Sequence, residues 1–512
     1  MKAFMGSGDE MSRLVPVPVA GSGNPCAVPR AAPGSVWQEL QAADKGGAVL
    51  CWTIALVLGL WLCGPADAAA REPKPVPPNV VVVVSDDQRW DMLGAAGNKT
   101  IVTPSMDRLA RDGVYFREAT TLVPQCAPSR MTLLTGLTIQ QHGRASNSAR
   151  DVTAPAVNLL PMLPRALRAA GYRTVLVGKW HVDFSPVAAG FDDVRTWMAP
   201  GVGPYLKSPV LVRGADATPL PPAGYTNEIF GDEAVAFLES NEAAAQPFFL
   251  WVALSAPHPP MGPNPPDVVR LYAGKDERAL WPPGLPPDAR PEHLRDYCEA
   301  VSVADRELGR ILDALDRRKL AERTLVIFLS DNGFMLGSRD VGPPSRHLFQ
   351  GKRYPYEASV RVPVIVRGPH VGRGVVDDHA VSTLDLPPTI LAAAGVAPEK
   401  RWNGRDLGPL LRGSSKAGPE DALIELADVH RPELGKVEYR AVRTPAHKLI
   451  VWREAQGAEL YDLVADPEER RNLFDEPDAA ATRRDLARRL RRWLEVTSDS
   501  ARQWRSMAAI LP

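Results

Sequence analysis

Residues Val80–Gln88 read Val-Val-Val-Val-Val-Ser-Asp-Asp-Gln. Five β-branched residues without a polar alternation describe a strand buried on both faces, and it runs straight into an acidic pair. Three more apolar runs end on polar residues in the same way. Arg173–Gly178 (RTVLVG) leads into Lys179-Trp180-His181, and Pro247–Ser255 (PFFLWVALS) leads into Ala256-Pro257-His258-Pro259. Leu325–Ser330 (LVIFLS) leads into Asp331-Asn332-Gly333, and Val362–Arg367 (VPVIVR) reads as a further strand. Helical patterns lie between them at Pro104–Asp112, Leu160–Ala170, Asp232–Asn241 and Pro291–Arg318, the first two stopped by Gly113 and Gly171. Alternating strands and helices predict an α/β fold with a large, mostly parallel sheet flanked by helices. No internal repeat is visible.

Past residue 418 the pattern changes. Ala422–Leu426, Tyr439–Val442, Lys448–Trp452 and Glu459–Asp462 are short strands with close turns, followed by an Arg-rich amphipathic helix at Ala480–Val496. This predicts a smaller C-terminal α+β subdomain over 418–512, after a main domain over 73–417. The chain of 512 residues carries 60 Lys+Arg against 60 Asp+Glu, a balance that excludes a bulk nucleic-acid binder. An apolar share of 45% and a charged share of 23% exclude wholesale disorder. Fifty prolines imply many fixed loops between short elements.

Residues 1–47 are rich in Gly, Pro, Ser and Ala and read as an extension that is disordered or not translated. The apolar run Ala48–Cys63 is short for a spanning helix and is followed by Gly64-Pro65 and Ala66-Asp67-Ala68, a small-residue cleavage pattern. Residues 48–68 therefore read as a signal peptide, with translation starting downstream of Met1, or as a retained anchor through residues 48–64. Either way the expectation is export to the periplasm or the cell exterior. After cleavage only Cys126 and Cys298 remain, too few for a disulfide framework.

In open α/β sheets ligands bind beyond the carboxyl ends of the strands. If the four strands are parallel neighbours, Asp86, Asp87, Asp331, Asn332, Lys179, His181 and His258 converge on one edge. Taken singly, each is an ordinary helix cap, turn or structural histidine; together they are not. Three carboxylates and an amide oxygen are hard donors that suit Ca²⁺ or Mg²⁺, and no Cys or His cluster has zinc spacing. Between the first two strand ends lies Gln125–Gly136 (QCAPSRMTLLTG). Pro128 suits the first turn of a helix and Gly136 its end, which puts Cys126 at a helix N-terminus that favours an anion. Arg130, one turn on, would reach the same anion. The residues thus read as a nucleophile beside a metal in an anion pocket, or as a buried structural cysteine.

Cys126-x-Pro128-Ser129-Arg130-x-x-x-Leu134-Thr135-Gly136 resembles the signature of the type I sulfatases without a departure. The resemblance extends to Asp86-Asp87-Gln88, Gly178-Lys179-Trp180-His181, Pro257-His258, Ser330-Asp331-Asn332-Gly333 and His347…Gly351-Lys352…Tyr356-Glu357…Arg361-Val362-Pro363. Glu459–Leu463, Asp466-Pro467-Glu468 and Asn472-Leu473 resemble the C-terminal subdomain of the family. It implies an alkaline-phosphatase-like fold and a sulfuric ester hydrolase of the arylsulfatase kind. Cys126 would be oxidised to formylglycine by a formylglycine-generating maturation enzyme. The hydrated aldehyde would attack sulfur and pass through a covalent sulfo-enzyme intermediate. One Ca²⁺ would be bound by Asp86, Asp87, Asp331, Asn332 and residue 126.

On the same resemblance Arg130 would stabilise the hydrated aldehyde, and Lys179 and Lys352 would hold sulfate oxygens. His181 would orient or deprotonate a hydroxyl of residue 126, and His258 would protonate the leaving alkoxide. His347 reads equally as a substrate contact or a loop histidine, and Tyr356-Glu357 as structural support. The substrate would be a sulfate ester, of a sulfated carbohydrate or an aryl alcohol, with a weak likeness to the glucosamine-6-sulfatase and iduronate-sulfatase branches. The alternatives are a formylglycine-dependent phosphonate monoester or phosphodiester hydrolase and an inactive relative that binds sulfated glycans. A two-metal phosphatase of the same superfamily fits less well, because Cys126 and Asn332 stand where such enzymes use Ser or Thr and His. Nothing in the sequence reads on oligomeric state.

Overall fold

The computed structural model describes residues 77–147, 155–289, 291–338, 351–428, 437–453 and 457–510. The expectations for residues 1–47 and 48–68, and that for His347, lie outside the described residues.

The valine run forms β1 (Asn79–Ser85), and its side chains divide between two cores. Val81 and Val83 pack into a cluster with Phe230, Val301, Leu308 and Ile311. Val80, Val82 and Val84 pack into another with Met131, Leu134, Leu163 and Ile390. A strand whose both faces are dry needs no alternation, which is why the run is unbroken. Each such valine contributes on the order of 1.5 kcal/mol by burial.

The remaining strands of this sheet are β2 (Val114–Phe116), β3 (Arg173–Lys179), β4 (Asp193–Met198), β5 (Leu211–Arg213), β6 (Thr218–Pro219), β7 (Phe248–Ala253), β8 (Thr324–Ser330), β9 (Val364–Arg367) and β10 (Val375–Asp377). Their order is β10-β2-β9-β8-β1-β7-β3-β4-β5-β6. The consecutive strands β8, β1, β7, β3 and β4 are parallel. β9 runs antiparallel to β8 and β2, and β5 antiparallel to β4 and β6. The sheet is therefore mixed, with its parallel part at the centre. The four strand ends singled out in the sequence are adjacent there.

The Thr226–Glu239 and Leu294–Arg317 helices cover one face, and the Cys126–Thr135, Leu163–Ala169 and Leu386–Ala393 helices the other. The helix expected from Asp232 begins six residues earlier. Its polar first turn is buried for a reason: Asn227 Oδ1 accepts the Ser255 and Ala256 N–H groups, at 2.9 and 3.2 Å, just beyond β7.

A second sheet follows, with β11 (Ala422–Asp428), β12 (Val437–Arg443), β13 (His447–Trp452) and β14 (Ala458–Asp462) in an antiparallel meander. The Ala480–Val496 helix packs on it through Leu486, Leu490 and Leu494. Its core also takes in Leu122, Val123, Met335, Tyr354 and Tyr356 from around the ends of the large sheet.

Candidate active site

Cys126 is the first residue of the Cys126–Thr135 helix, all of whose residues are buried. The helix ends at Gly136, and Trp402 packs beneath it. The sequence pattern placed an anion at the helix N-terminus; the structure fills that position. The Ala127 N–H is taken by Asn147 Oδ1 at 3.0 Å, and Pro128 has no N–H to offer.

Charged groups instead surround the thiol from the strand ends. Asp86 follows β1, and its Oδ1 lies 3.2 Å from Cys126 Sγ. Lys179, the last residue of β3, contacts Asp86 and reaches Sγ at 3.6 Å. Lys352 contacts Asp87 and lies 2.7 Å from Sγ. Arg130 turns to Asp331, with its Nε and Nη2 3.0 and 2.9 Å from Oδ2, and donates to Lys179 O at 2.7 Å. Asp86 is 3.7 Å from the same guanidinium. Asn332 Nδ2 donates to Asp87 at 2.6 Å, while its Oδ1 is buried with no partner among the described residues. His258 Nε2 faces Asp87 Oδ2 at 3.8 Å, and its Nδ1 sits 2.7 Å from Pro259 O. A carbonyl accepts only, so Nδ1 carries the proton and Nε2 of the neutral ring faces the cluster bare.

His181 stands beside the group in a left-handed conformation, φ 55°, with Nδ1 buried and without a partner among the described residues. Its ring lies against Gly201, where a Cβ would come within 2.3 Å of His181 Cε1. Gly178 is equally constrained. At φ 97° a Cβ there would lie 2.0 Å from Ala253 O, so only glycine lets β3 reach Lys179 beside β7.

Burial opposes ionisation throughout. It is outweighed at Asp86, which Lys179, His258, Lys352 and Arg130 hold well below the usual carboxylate range. At Asp331, burial and the neighbouring Asp86 charge win over Arg130 and push the carboxyl up. Burial and Asp86 also push the Cys126 thiol up, against Lys179 and Lys352. His258 is lowered to about 4 by burial, with Asp87 opposing and Lys179 adding to the shift. His181 is lowered further by burial, Lys179 and Arg130.

One donor atom each from Asp86, Asp87, Cys126 and His258 lies within 4.8 Å of the others, a group able to hold a metal ion. Asp331 and Asn332 border this group through their contacts with Arg130, Asp87 and the Asp87 N–H.

The sulfatase family model matches residues 78–396, and that described as N-sulphoglucosamine sulphohydrolase, C-terminal, matches 345–495. The chain belongs to the sulfatase family. An ulvan-active sulfatase of Formosa agariphila is 29% identical over 465 residues, covering 87% of each chain. An N-acetylgalactosamine-6-sulfatase of Sus scrofa is 30% identical, covering 70% of each. A solved structure in complex with its substrate D-glucosamine-2-N,6-O-disulfate has a TM-score of 0.68 at 24% identity, covering 83% of this chain and 99% of that one. This sulfatase is accordingly a sulfuric ester hydrolase with the alkaline-phosphatase-like fold.

Several neighbours of the sulfatase site carried no sequence signal. Tyr297 OH donates to Asp87 O at 2.6 Å and accepts the Arg89 N–H at 2.9 Å, which holds Asp87 at φ 68°. Tyr205 OH donates to His258 O at 2.9 Å. Thr121 and Ser129 hydroxyls donate to Asp331 O at 2.9 and 2.6 Å. Only Ser129 lay inside a motif. The tyrosines act across more than 50 residues of chain, so no local pattern marks them.

Proposed function

We propose that residue 126 of this sulfatase works as formylglycine made from Cys126, and that the substrate is a sulfated carbohydrate. The observation carrying this reading is the seat of Cys126: the first residue of its helix, ringed by Asp86, Lys179 and Lys352. A thiol pushed up in pKa is a poor nucleophile near neutral pH. The hydrated aldehyde supplies a hydroxyl nucleophile in its place.

Lys179 and Lys352 supply two ammonium groups 3.6 and 2.7 Å from Cys126 Sγ, where they hold the sulfate oxygens and offset charge that grows in the transition state. Arg130 keeps Asp331 oriented and places a fixed positive charge beside residue 126. His181, neutral because its pKa is lowered, accepts a proton from a hydroxyl on residue 126. His258 Nε2 is bare in the neutral ring, so His258 serves the leaving alkoxide only after Nε2 takes up a proton from solvent, which it then passes on while Nδ1–H stays on Pro259 O.

A divalent cation fits the donors. Asp86 and Asp87 supply hard oxygens, and the unpartnered buried Asn332 oxygen faces them once its amide is turned over. Asp331 and residue 126 complete the set, with Ca²⁺ as the ion this set suits. A cation held by these residues would supply Lewis-acid polarisation of the ester oxygens. A maturation enzyme and export from the cell are part of the same reading.

The test compares sulfate release from 6-O-sulfated hexosamines with hydrolysis of an aryl phosphonate monoester, on protein made with a maturation enzyme. Faster turnover of the sulfated sugar is expected. Turnover of the phosphonate alone would replace this reading with a phosphonate hydrolase.

A further inference from the structure

Lys352 reaches Cys126 and Asp87 from a segment that the large sheet does not carry. The next residue, Arg353, is in a left-handed conformation, φ 88°, which a long side chain rarely adopts. Such a turn persists only where its surroundings fix it on more than one side. Here both polar groups of the Arg353 backbone are fixed. Its N–H donates to Pro124 O at 3.1 Å, two residues before Cys126. Its carbonyl accepts from Tyr439 OH at 3.2 Å. Tyr439 lies on β12, in the second sheet, and is fully buried.

Two residues on, the Pro355 carbonyl accepts from Lys448 Nζ on β13 at 2.9 Å. Lys448 is fixed in turn by Glu357 at 2.7 Å and Glu469 at 2.8 Å. Glu469 also accepts the Glu357 N–H at 2.7 Å. On the other side Gly351 O accepts the Met335 N–H. Lys352 thus projects from a turn tied to the helix entry at one end and to the second sheet at two points. Burial holds the Tyr439 phenol far above its ordinary pKa, so it remains a donor throughout the working range.

We infer that Tyr439 and Lys448 are positioning residues of the sulfatase reaction, setting the place of the Lys352 ammonium through the backbone of residues 353 and 355. The second sheet is then part of the catalytic apparatus and not only a buttress. This rests on the reading of Lys352 as a sulfate contact.

The test is a double-mutant cycle on the matured full chain, reading kcat and KM for 4-nitrophenyl sulfate in Tyr439→Phe, Lys352→Ala and the double variant. Tyr439→Phe keeps the ring and deletes one donor. It is expected to lower kcat/KM about tenfold alone and less than about twofold when Lys352 is already gone. An undiminished loss in the Lys352→Ala background would mark a general structural role and overturn the inference, as would no loss in the single variant. If Lys352→Ala keeps wild-type activity, the sulfate-contact reading fails, and the positioning role falls with it. Should Tyr439→Phe melt below the assay temperature, Lys448→Arg replaces it. That variant keeps the charge but shifts the donor, and the same outcomes decide.

Discussion

Two buried clusters in this molecule have the same charges and different wiring. At the strand ends, Asp86, Asp87 and Asp331 face Arg130, Lys179 and Lys352. Between the two sheets, Glu118, Glu357 and Glu469 face Arg361, Arg443 and Lys448. The second cluster is closed. Arg443 grips Glu357 with two parallel bonds of 2.9 and 2.8 Å, and the three Lys448 donors meet Glu357, Glu469 and Pro355 O. The first is open. Two ammonium groups crowd one thiol, and the Asn332 oxygen and a His181 nitrogen are buried without partners among the described residues. Unsatisfied buried polar atoms cost stability and persist where a ligand completes them. The wiring, more than the charge count, separates the site from the support.

The largest effect that would break this contrast is at Cys126. Cys126→Ala should lower turnover by about 10⁴-fold or more with the melting temperature nearly unchanged. Residual turnover with aryl sulfates above that level would show that the open cluster works without residue 126. Next, Asp331→Ala should cost about 10- to 100-fold in divalent-cation affinity and in activity together, because Asp331 orients Arg130 and borders the donors. Calorimetric titration of the metal-stripped protein measures the first and initial rates the second; loss of activity with unchanged affinity would remove Asp331 from the metal site.

In the closed cluster the order of effects reverses. Arg443→Met takes from Glu357 its two-bonded partner and leaves Glu118 with Arg361 alone, and should destabilise the fold by about 3–5 kcal/mol, as breaking a buried pair does. Assayed below its melting point, the variant should keep kcat/KM within about threefold. Lys448 keeps its hold on Pro355 O in this variant; a far larger kinetic loss without destabilisation would give Arg443 a positioning role beside that of Lys448.

The smallest effect is in pH dependence. Folding lowers the pKa of His258 to about 4, so between pH 6.5 and 4 the unfolded chain binds the proton that the folded chain refuses. Stability from His258 is thus complete above pH 6.5 and lost as pH falls toward 4, and His181 adds to the trend. Burial opposes charge at Glu357 too, but Arg443 and Lys448 hold it well below the usual range, so its contribution survives until stronger acid. Melting curves should fall by a few degrees from pH 7 to 4.5, and His258→Gln should flatten that fall. An unchanged slope in the variant would assign it elsewhere.

Much of this was legible in the sequence because chemistry and fold share the same strands. The run Val80–Val84 and the polar residues after Ser85, Gly178 and Ser330 are local patterns; the adjacency of β8, β1, β7 and β3, on which their convergence depended, was a condition that the structure supplies. The flanking strands β2, β5, β6 and β10 were not legible, because two or three residues set no period. The start of the Thr226–Glu239 helix was hidden because Asn227 is polar and buried, capping a strand end 28 residues away. The hold on Lys352 was invisible for the same reason on a larger scale: Tyr439 reaches Arg353 across 86 residues of chain. Likewise, an anion at the helix N-terminus was a fair reading of Cys126-x-Pro128, but Asn147 comes back to occupy the Ala127 N–H.

The most direct measurement is mass spectrometry of the tryptic peptide Glu118–Arg130, taken from protein made in a host that converts a control sulfatase. An aldehyde or its hydrate at residue 126 is the predicted result. An unmodified thiol at that position, beside a converted control, would contradict it and leave an open cluster whose nucleophile is something else.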